Sequence, residues 1–192
     1  MTMIRIIVYS LAAMLGLFSS PIWAEGGEYQ IELIVFSQAM PNTEVFDQTS
    51  GLTQWPSDLT ELSAYRKPEN TTLDDSYAAL SKDSAYRLIL YAAWIQPVAE
   101  GGGVAPVHIQ SSDGKLNGYL QIQRGQSLQL LVDVEYAPGH GNSAGETSNS
   151  VGETYDVDPI IFRLNEKRPI KPGEVYYLDH PKFGIVAKVS PL

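Results

Sequence analysis

Few residues in this chain have the types and spacing that chemistry requires. Cysteine is absent, and histidine occurs only at His108, His140 and His180, with no pair at the spacing of helical metal ligands. Without cysteine there is no disulfide framework, thiol nucleophile, zinc–thiolate site or iron–sulfur cluster. No G-x-S-x-G elbow, H-E-x-x-H pair or phosphate-cradling glycine loop occurs. Gly101-Gly102-Gly103 lacks a following Lys-Ser/Thr and reads as a flexible turn. His180 follows Asp179, and a hydrolase would need that carboxylate to orient the ring toward a nucleophile. Adjacency along the chain does not supply this geometry, so a turn in which Asp179 bonds nearby backbone N–H groups is expected. His108 falls inside an expected strand and reads as structural, while His140 lies in a glycine-rich loop and reads as solvated. The acid pairs Asp133/Glu135 and Asp156/Asp158 lack the glycine and distal glutamate of a calcium loop, so solvated strand faces are expected. No catalytic residue, metal site or cofactor is assigned, and a non-enzymatic protein is expected.

The charges are more informative. The 192 residues carry 13 basic and 22 acidic side chains, a formal net of −9, which argues against bulk attraction to nucleic acid or anionic lipid. That charge is unevenly placed. Residues 25–159 hold 6 basic and 19 acidic side chains, a net of −13, whereas residues 160–192 hold 6 and 3, a net of +3. Arg163, Lys167, Arg168 and Lys171 cluster there, close in sequence to Tyr176, Tyr177 and His180. Such cations bind carboxylates or phosphates through charge-assisted hydrogen bonds, and tyrosine faces stack on sugar rings. These seven residues form the candidate ligand-binding set. The bland reading of the same residues is a solvated ribbon that balances the acidic remainder.

The elements that must position them follow from hydropathy patterning. Arg5 followed by the apolar run Ile6 to Phe18, then Ser19-Ser20-Pro21, reads as a signal peptide over residues 1–24, cut between Ala24 and Glu25. The run from Ile6 to Trp23 is barely long enough to span and is interrupted by serines and proline, which favours cleavage over a membrane anchor, and no cysteine follows it to carry lipid. The remaining 168 residues, 25–192, are expected to form a single exported domain, soluble in the periplasm, held by its core alone. Strands are expected at Tyr29–Phe36, Tyr86–Ile95, Val107–Gln110, Gly118–Gln123, Ser127–Tyr136, Thr154–Leu164, Glu174–Leu178 and Gly184–Val189. Tyr86–Ile95, apolar on both faces, suits a central strand or one covered by a helix and a long loop. A helix capped by Thr71 or Thr72 should end near Asp83, with Leu73, Tyr77 and Leu80 on one buried stripe. A shorter helical turn is suggested around Ser57–Leu62, and residues 137–152 read as a flexible loop. The fold class expected is α+β, with one mixed, mainly antiparallel sheet and one or two short helices.

Several stretches resemble the CsiV family of periplasmic peptidoglycan-binding proteins. They are Tyr29-Gln30-Ile31-Glu32-Leu33-Ile34-Val35-Phe36, Tyr86-Arg87-Leu88-Ile89-Leu90 running into Ala93-Trp94-Ile95-Gln96-Pro97, and Leu116-Asn117-Gly118. The most distinctive is Glu174-Val175-Tyr176-Tyr177-Leu178-Asp179-His180-Pro181-Lys182-Phe183-Gly184, with Val189-Ser190-Pro191 at the end. Gln126-Ser127-Leu128-Gln129 stands where the family usually carries an Arg-aromatic-Leu-His run, and Lys167-Arg168-Pro169 is a reduced form of its arginine-rich stretch. The resemblance implies peptidoglycan binding and support of a class A penicillin-binding protein through its outer-membrane lipoprotein activator. The alternatives from other classes are a protein–protein adaptor that never touches glycan and a cell-wall hydrolase using His180 with Asp179.

Overall fold

The computed structural model describes residues 27–38, 53–99, 101, 104–139 and 160–192. The signal segment with Ala24 and Glu25, His140, the Asp156/Asp158 pair and residues 140–152 of the expected loop lie outside them. Within them the chain is mostly β, with one α-helix and one 3-10 turn.

Strand β1 (Gly27–Gln38) alternates as its sequence predicts, sending Tyr29, Ile31, Leu33 and Val35 to one face and Ile34 and Phe36 to the other. It pairs antiparallel with both β3 (Tyr86–Val98) and β9 (Phe183–Pro191), and β9 pairs with β8 (Val175–His180). The order β3-β1-β9-β8 makes a four-stranded antiparallel sheet. A second sheet has the order β2 (Thr60–Glu61), β4 (Val107–Gln110), β5 (Leu116–Arg124), β6 (Leu128–Tyr136), β7 (Phe162–Ile170), antiparallel except for the short β2–β4 pair. Two sheets therefore replace the single one expected. Their facing side chains, among them Ile31, Leu33, Trp94, Ile109, Ile122, Leu130 and Ile185, form one continuous core. The physical reason is that most of the long strands have one largely apolar face, and two sheets cover such faces economically by packing on each other.

The other face of the four-stranded sheet is covered by helix α1 (Asp74–Lys82), which closes a smaller cluster around Ile34, Phe36 and Leu73. Its stripe is only partly buried: Leu73 is enclosed and Leu80 half-covered, but Tyr77 stays exposed and stacks on Tyr91 at 5.0 Å. Nor do the threonines cap it by their hydroxyls. Glu32, buried on the helix side of β1, accepts from the backbone N–H of Thr72 (2.7 Å) and of Leu73 (2.9 Å) and from the Thr72 hydroxyl. A carboxylate 40 residues upstream thus satisfies donors that a helix N-terminus leaves open. Alternation alone places Glu32 in solvent, because the segment that covers it is distant in sequence.

Of the two arrangements expected for β3, the second holds: it is an edge strand covered by α1 and by the chain around Arg66, whose carbonyl accepts from the Ile95 N–H. Its faces also exchange midway: Val35 pairs with Leu90 but Phe36 pairs with Leu88, so Ile89 is an inserted residue. Leu90, Ala92 and Trp94 face the inter-sheet core while Tyr86 and Leu88 join the helix-side cluster, the result a one-residue bulge must have. The helical turn expected near Ser57–Leu62 lies at Leu62–Ala64 as a 3-10 helix. The strand expected to end at Leu164 continues to Ile170. The last turn is Pro181-Lys182, because Asp179 and His180 belong to β8.

His108 on β4 is held as a structural residue, with Nδ1 2.8 Å from Glu61 Oε1 and Nε2 2.8 Å from Asn117 Oδ1. Burial disfavours the charged ring, but these two acceptors and the Glu61 charge outweigh it and raise the pKa above its ordinary 6.5. The resulting stabilisation is complete below the ordinary value and is lost as pH rises through the folded-state value. Glu61 is two-thirds exposed, so the gain is below about 1 kcal/mol. Thermal melts should show wild type ahead of His108→Gln at pH 6, with the difference shrinking as pH rises through the folded-state value; a difference that grows with pH contradicts this.

Candidate functional site

Strand β7, an edge of the five-stranded sheet, carries Arg163, Lys167 and Arg168, with Pro169 tolerated because it sits at an edge. Alternation divides the three. Arg163 and Lys167 point out from the sandwich, whereas Arg168 lies on the inward side with Leu164 and Ile170. Arg163 is clamped to the buried Asp133 by two parallel bonds, Nε to Oδ1 at 2.8 Å and Nη2 to Oδ2 at 2.7 Å. Asn165 donates to the same carboxylate at 3.0 Å, and the Trp55 ring lies 5.8 Å from the Arg163 guanidinium carbon. The guanidinium is thereby committed to Asp133.

Arg168 pairs with Glu166 and donates through Nη1 to the Tyr177 carbonyl at 3.1 Å. It tethers β7 of one sheet to β8 of the other where the two edges meet. Lys171 follows β7 in the turn at residues 171–174, four-fifths exposed, with Nζ 3.5 Å from Glu174. Lys167 is also exposed, and its Nζ donates to Gln123 Oε1 at 2.9 Å.

The two tyrosines do not form one stacking platform. Tyr176 turns toward the inter-sheet core, its hydroxyl donating to Glu174 at 2.8 Å and accepting the Lys171 N–H at 2.7 Å. Tyr177 lies on the opposite side of the strand, stacked on Phe36 with centroids 6.2 Å apart, and its hydroxyl donates to Asp179 at 2.6 Å. Burial and the Asp179 carboxylate push the Tyr177 phenol upward in pKa. His180 is set between Phe162 and Phe183, at 5.8 and 4.9 Å, and its Nδ1 accepts the Lys182 N–H at 3.2 Å. Burial keeps its pKa below the ordinary histidine value. Asp179 instead accepts from Tyr177 and, at 3.4 Å, from Gln38. The Asp179–His180 pair is thus not arranged as a catalytic relay.

The seven candidates consequently occupy four places: Arg163 and Lys167 on the outer face of the five-stranded sheet, Lys171 on the following turn, Arg168, Tyr176 and His180 at the seam between sheets, and Tyr177 on the helix side. Lys167 and Lys171 are the most exposed cations of the set. The acid pair Asp133/Glu135 is no cation site, since Asp133 is held by Arg163 and Glu135 accepts from the Thr53 hydroxyl. Among the described residues no group of three or more His, Asp or Glu is placed to hold a metal. Nor is any helix among them long and apolar enough to cross a membrane.

Around Lys167 the geometry brings in residues outside the seven candidates. Gln121, Gln123 and Gln129 project from β5 and β6 beside it, and an open cavity of about 570 Å³ is lined by Gln123, Gln126, Gln129, Ser127, Arg124 and Gly101. The signal was present as strict alternation with the buried Leu120, Ile122, Leu128 and Leu130, but the pairing of β7 with β6 was needed to bring Lys167 to it. A larger groove of about 660 Å³ runs at the other edge of the four-stranded sheet from β8, with Leu62, Tyr65, Pro68, Leu90 and Ala92 in its mainly apolar lining.

No curated protein and no solved structure matches the chain. A family model does, described as "Peptidoglycan-binding protein, CsiV", over residues 53–192. The matched span contains eight of the nine strands among the described residues, with β1 preceding it. A match over that much of the sequence makes this chain a member of the CsiV family of peptidoglycan-binding proteins.

Proposed function

We propose that this chain is an exported periplasmic protein that binds peptidoglycan without modifying it. In this reading residues 1–24 are removed as a signal peptide and residues 25–192 act as one binding domain. It supports cell-wall synthesis by assisting a class A penicillin-binding protein through that enzyme's outer-membrane lipoprotein activator. The observation that carries the reading is the family match over residues 53–192. The charge distribution supports it: peptidoglycan is a glycan with carboxylate-bearing peptides, and an acidic protein must meet it with a locally basic surface. Lys167 and Lys171, the most exposed cations of the 163–182 stretch, are the residues best placed for that contact. The alternative of a hydrolase using His180 has no support in the side-chain geometry, which sets Asp179 and His180 on opposite sides of β8.

The test is sedimentation of the purified protein with isolated peptidoglycan sacculi. Wild type should pellet, and Lys167→Ala/Lys171→Ala should raise the apparent Kd roughly fivefold at low salt, with a smaller difference at high salt. Arg168 is left intact in that variant because removing its tether would confuse stability with binding. Pelleting no greater than that of an unrelated acidic protein contradicts the reading. Pull-down of a synthase or lipoprotein without sacculus binding would point to an adaptor, and release of soluble fragments to a hydrolase.

A further inference from the structure

Resting on that reading, we propose that the end of the five-stranded sheet built from Gln121, Gln123, Gln129 and Lys167 is the subsite for the N-acetylated glycan strand. The amides meet sugar hydroxyl and acetamido groups, and Lys167 takes a carboxylate of the attached peptide.

The outer face of this sheet has two unlike halves. Cross-strand register sets Asn117 beside Glu135 and Arg163, then Tyr119 beside Asp133 and Asn165. In those two rows Arg163 is paired with Asp133, and Glu135 accepts from the Thr53 hydroxyl. The next rows run Gln121, Leu131, Lys167 and then Gln123, Gln129, Pro169, and they contain no carboxylate. Lys167 is the one charged side chain within these two rows. An acidic protein therefore presents here an amide-rich surface that carries an exposed lysine and no carboxylate in those rows.

The amides are also pre-ordered. Lys167 Nζ donates to Gln123 Oε1 at 2.9 Å, Gln123 Nε2 to Gln121 Oε1 at 2.9 Å, and Gln121 Nε2 to the Val104 carbonyl at 2.7 Å. Gln129 Nε2 donates to Ser127 Oγ at 2.7 Å. A primary amide nitrogen carries two hydrogens, and each of these bonds uses one, so Gln123 and Gln129 each keep an oriented donor beside the 570 Å³ cavity, and Gln121 keeps one in the neighbouring row. Held side chains lose little entropy when a ligand arrives.

This chemistry selects the occupant. A nucleic acid calls for many more cations than these, and a protein partner for a large aromatic or apolar anchor, whereas the apolar side chains in the two rows are only the half-buried Leu131 and the small ring of Pro169. Neutral donors with one or two cations match a polyhydroxyl, amide-bearing strand that carries occasional carboxylates.

The test compares wild type with Gln123→Ala/Gln129→Ala on isolated sacculi and on glycan strands stripped of peptide by an amidase. The double variant should bind both probes roughly tenfold more weakly. Lys167→Ala should lose affinity for sacculi and keep it for stripped glycan. Gln110→Ala, at the far end of the face, should bind as wild type. Gln123→Glu/Gln129→Glu preserves side-chain size against any folding defect, and should be weak at low salt and partly recover at high salt. If wild type pellets and both double variants pellet equally well, the subsite is wrong while peptidoglycan binding stands. If wild type does not pellet, both fall.

Discussion

Replacing Gly118 by alanine should destabilise the protein by about 4 kcal/mol, near the upper end for a single substitution, and lower the melting temperature by roughly 8–16 °C. Gly118 has φ 153° and lies where β5 passes closest to β6. A Cβ there would stand 2.2 Å from the Asp133 carbonyl oxygen and 2.5 Å from the Val134 Cα. Both obstacles are backbone, so no side chain can swing aside, and the β5–β6 pairing itself must open. Gly184 makes an instructive contrast. A Cβ there would meet Phe36 Cζ at 2.6 Å and Tyr177 Cε2 at 2.8 Å, which are ends of rings that can shift, so its cost should be smaller. Thermal or denaturant melts of the two alanine variants check the order. A Gly118→Ala protein melting within 2 °C of wild type would contradict it.

Arg163→Ala should cost about 3 kcal/mol, a drop of roughly 6–12 °C in melting temperature. The Asp133 side chain is 6% exposed, and its two oxygens are occupied by Arg163, with Asn165 sharing one. Removing the guanidinium leaves a buried carboxylate with one neutral donor, which is the expensive way to break such a pair. Adding Asp133→Asn removes the orphaned charge and should restore more than half the loss. A single variant as stable as wild type would mean that Arg163 is not committed to Asp133 and is available to a ligand. This matters for function, because sequence clustering alone puts Arg163 among the binding cations and a loss of binding in its variant would otherwise be misread.

Much of the fold was legible because strand alternation is a local property. Tyr29–Phe36, Val107–Gln110, Gly118–Gln123 and Ser127–Tyr136 each lie within, or within one residue of, an observed strand. What could not be read depends on residues far apart in sequence. The bulge at Ile89, which returns Tyr86 and Leu88 to the helix side, follows from pairing with β1. The burial of Glu32 follows from the 70–73 segment folding over it. The candidate cations show the same limit. Their closeness in sequence suggested one patch, but a strand sends neighbours to opposite faces, so Lys167 and Arg168 part company, as do Tyr176 and Tyr177. Lys167 acquired its neighbours Gln123 and Gln121 through cross-strand register instead. The glycines of the family-like stretches gain a physical reason at Gly118 and Gly184, where strands or rings approach too closely for a Cβ.

The central claim is that a protein of net charge −9 binds the cell wall through a small basic and amide-rich end of one sheet. The most direct measurement is the fraction of purified protein that pellets with isolated sacculi as protein concentration and salt are varied. Saturable pelleting that weakens as salt is raised, and weakens further in the Lys167→Ala/Lys171→Ala variant, is the predicted result. Pelleting that never exceeds that of an unrelated acidic protein, at any salt concentration, would contradict it.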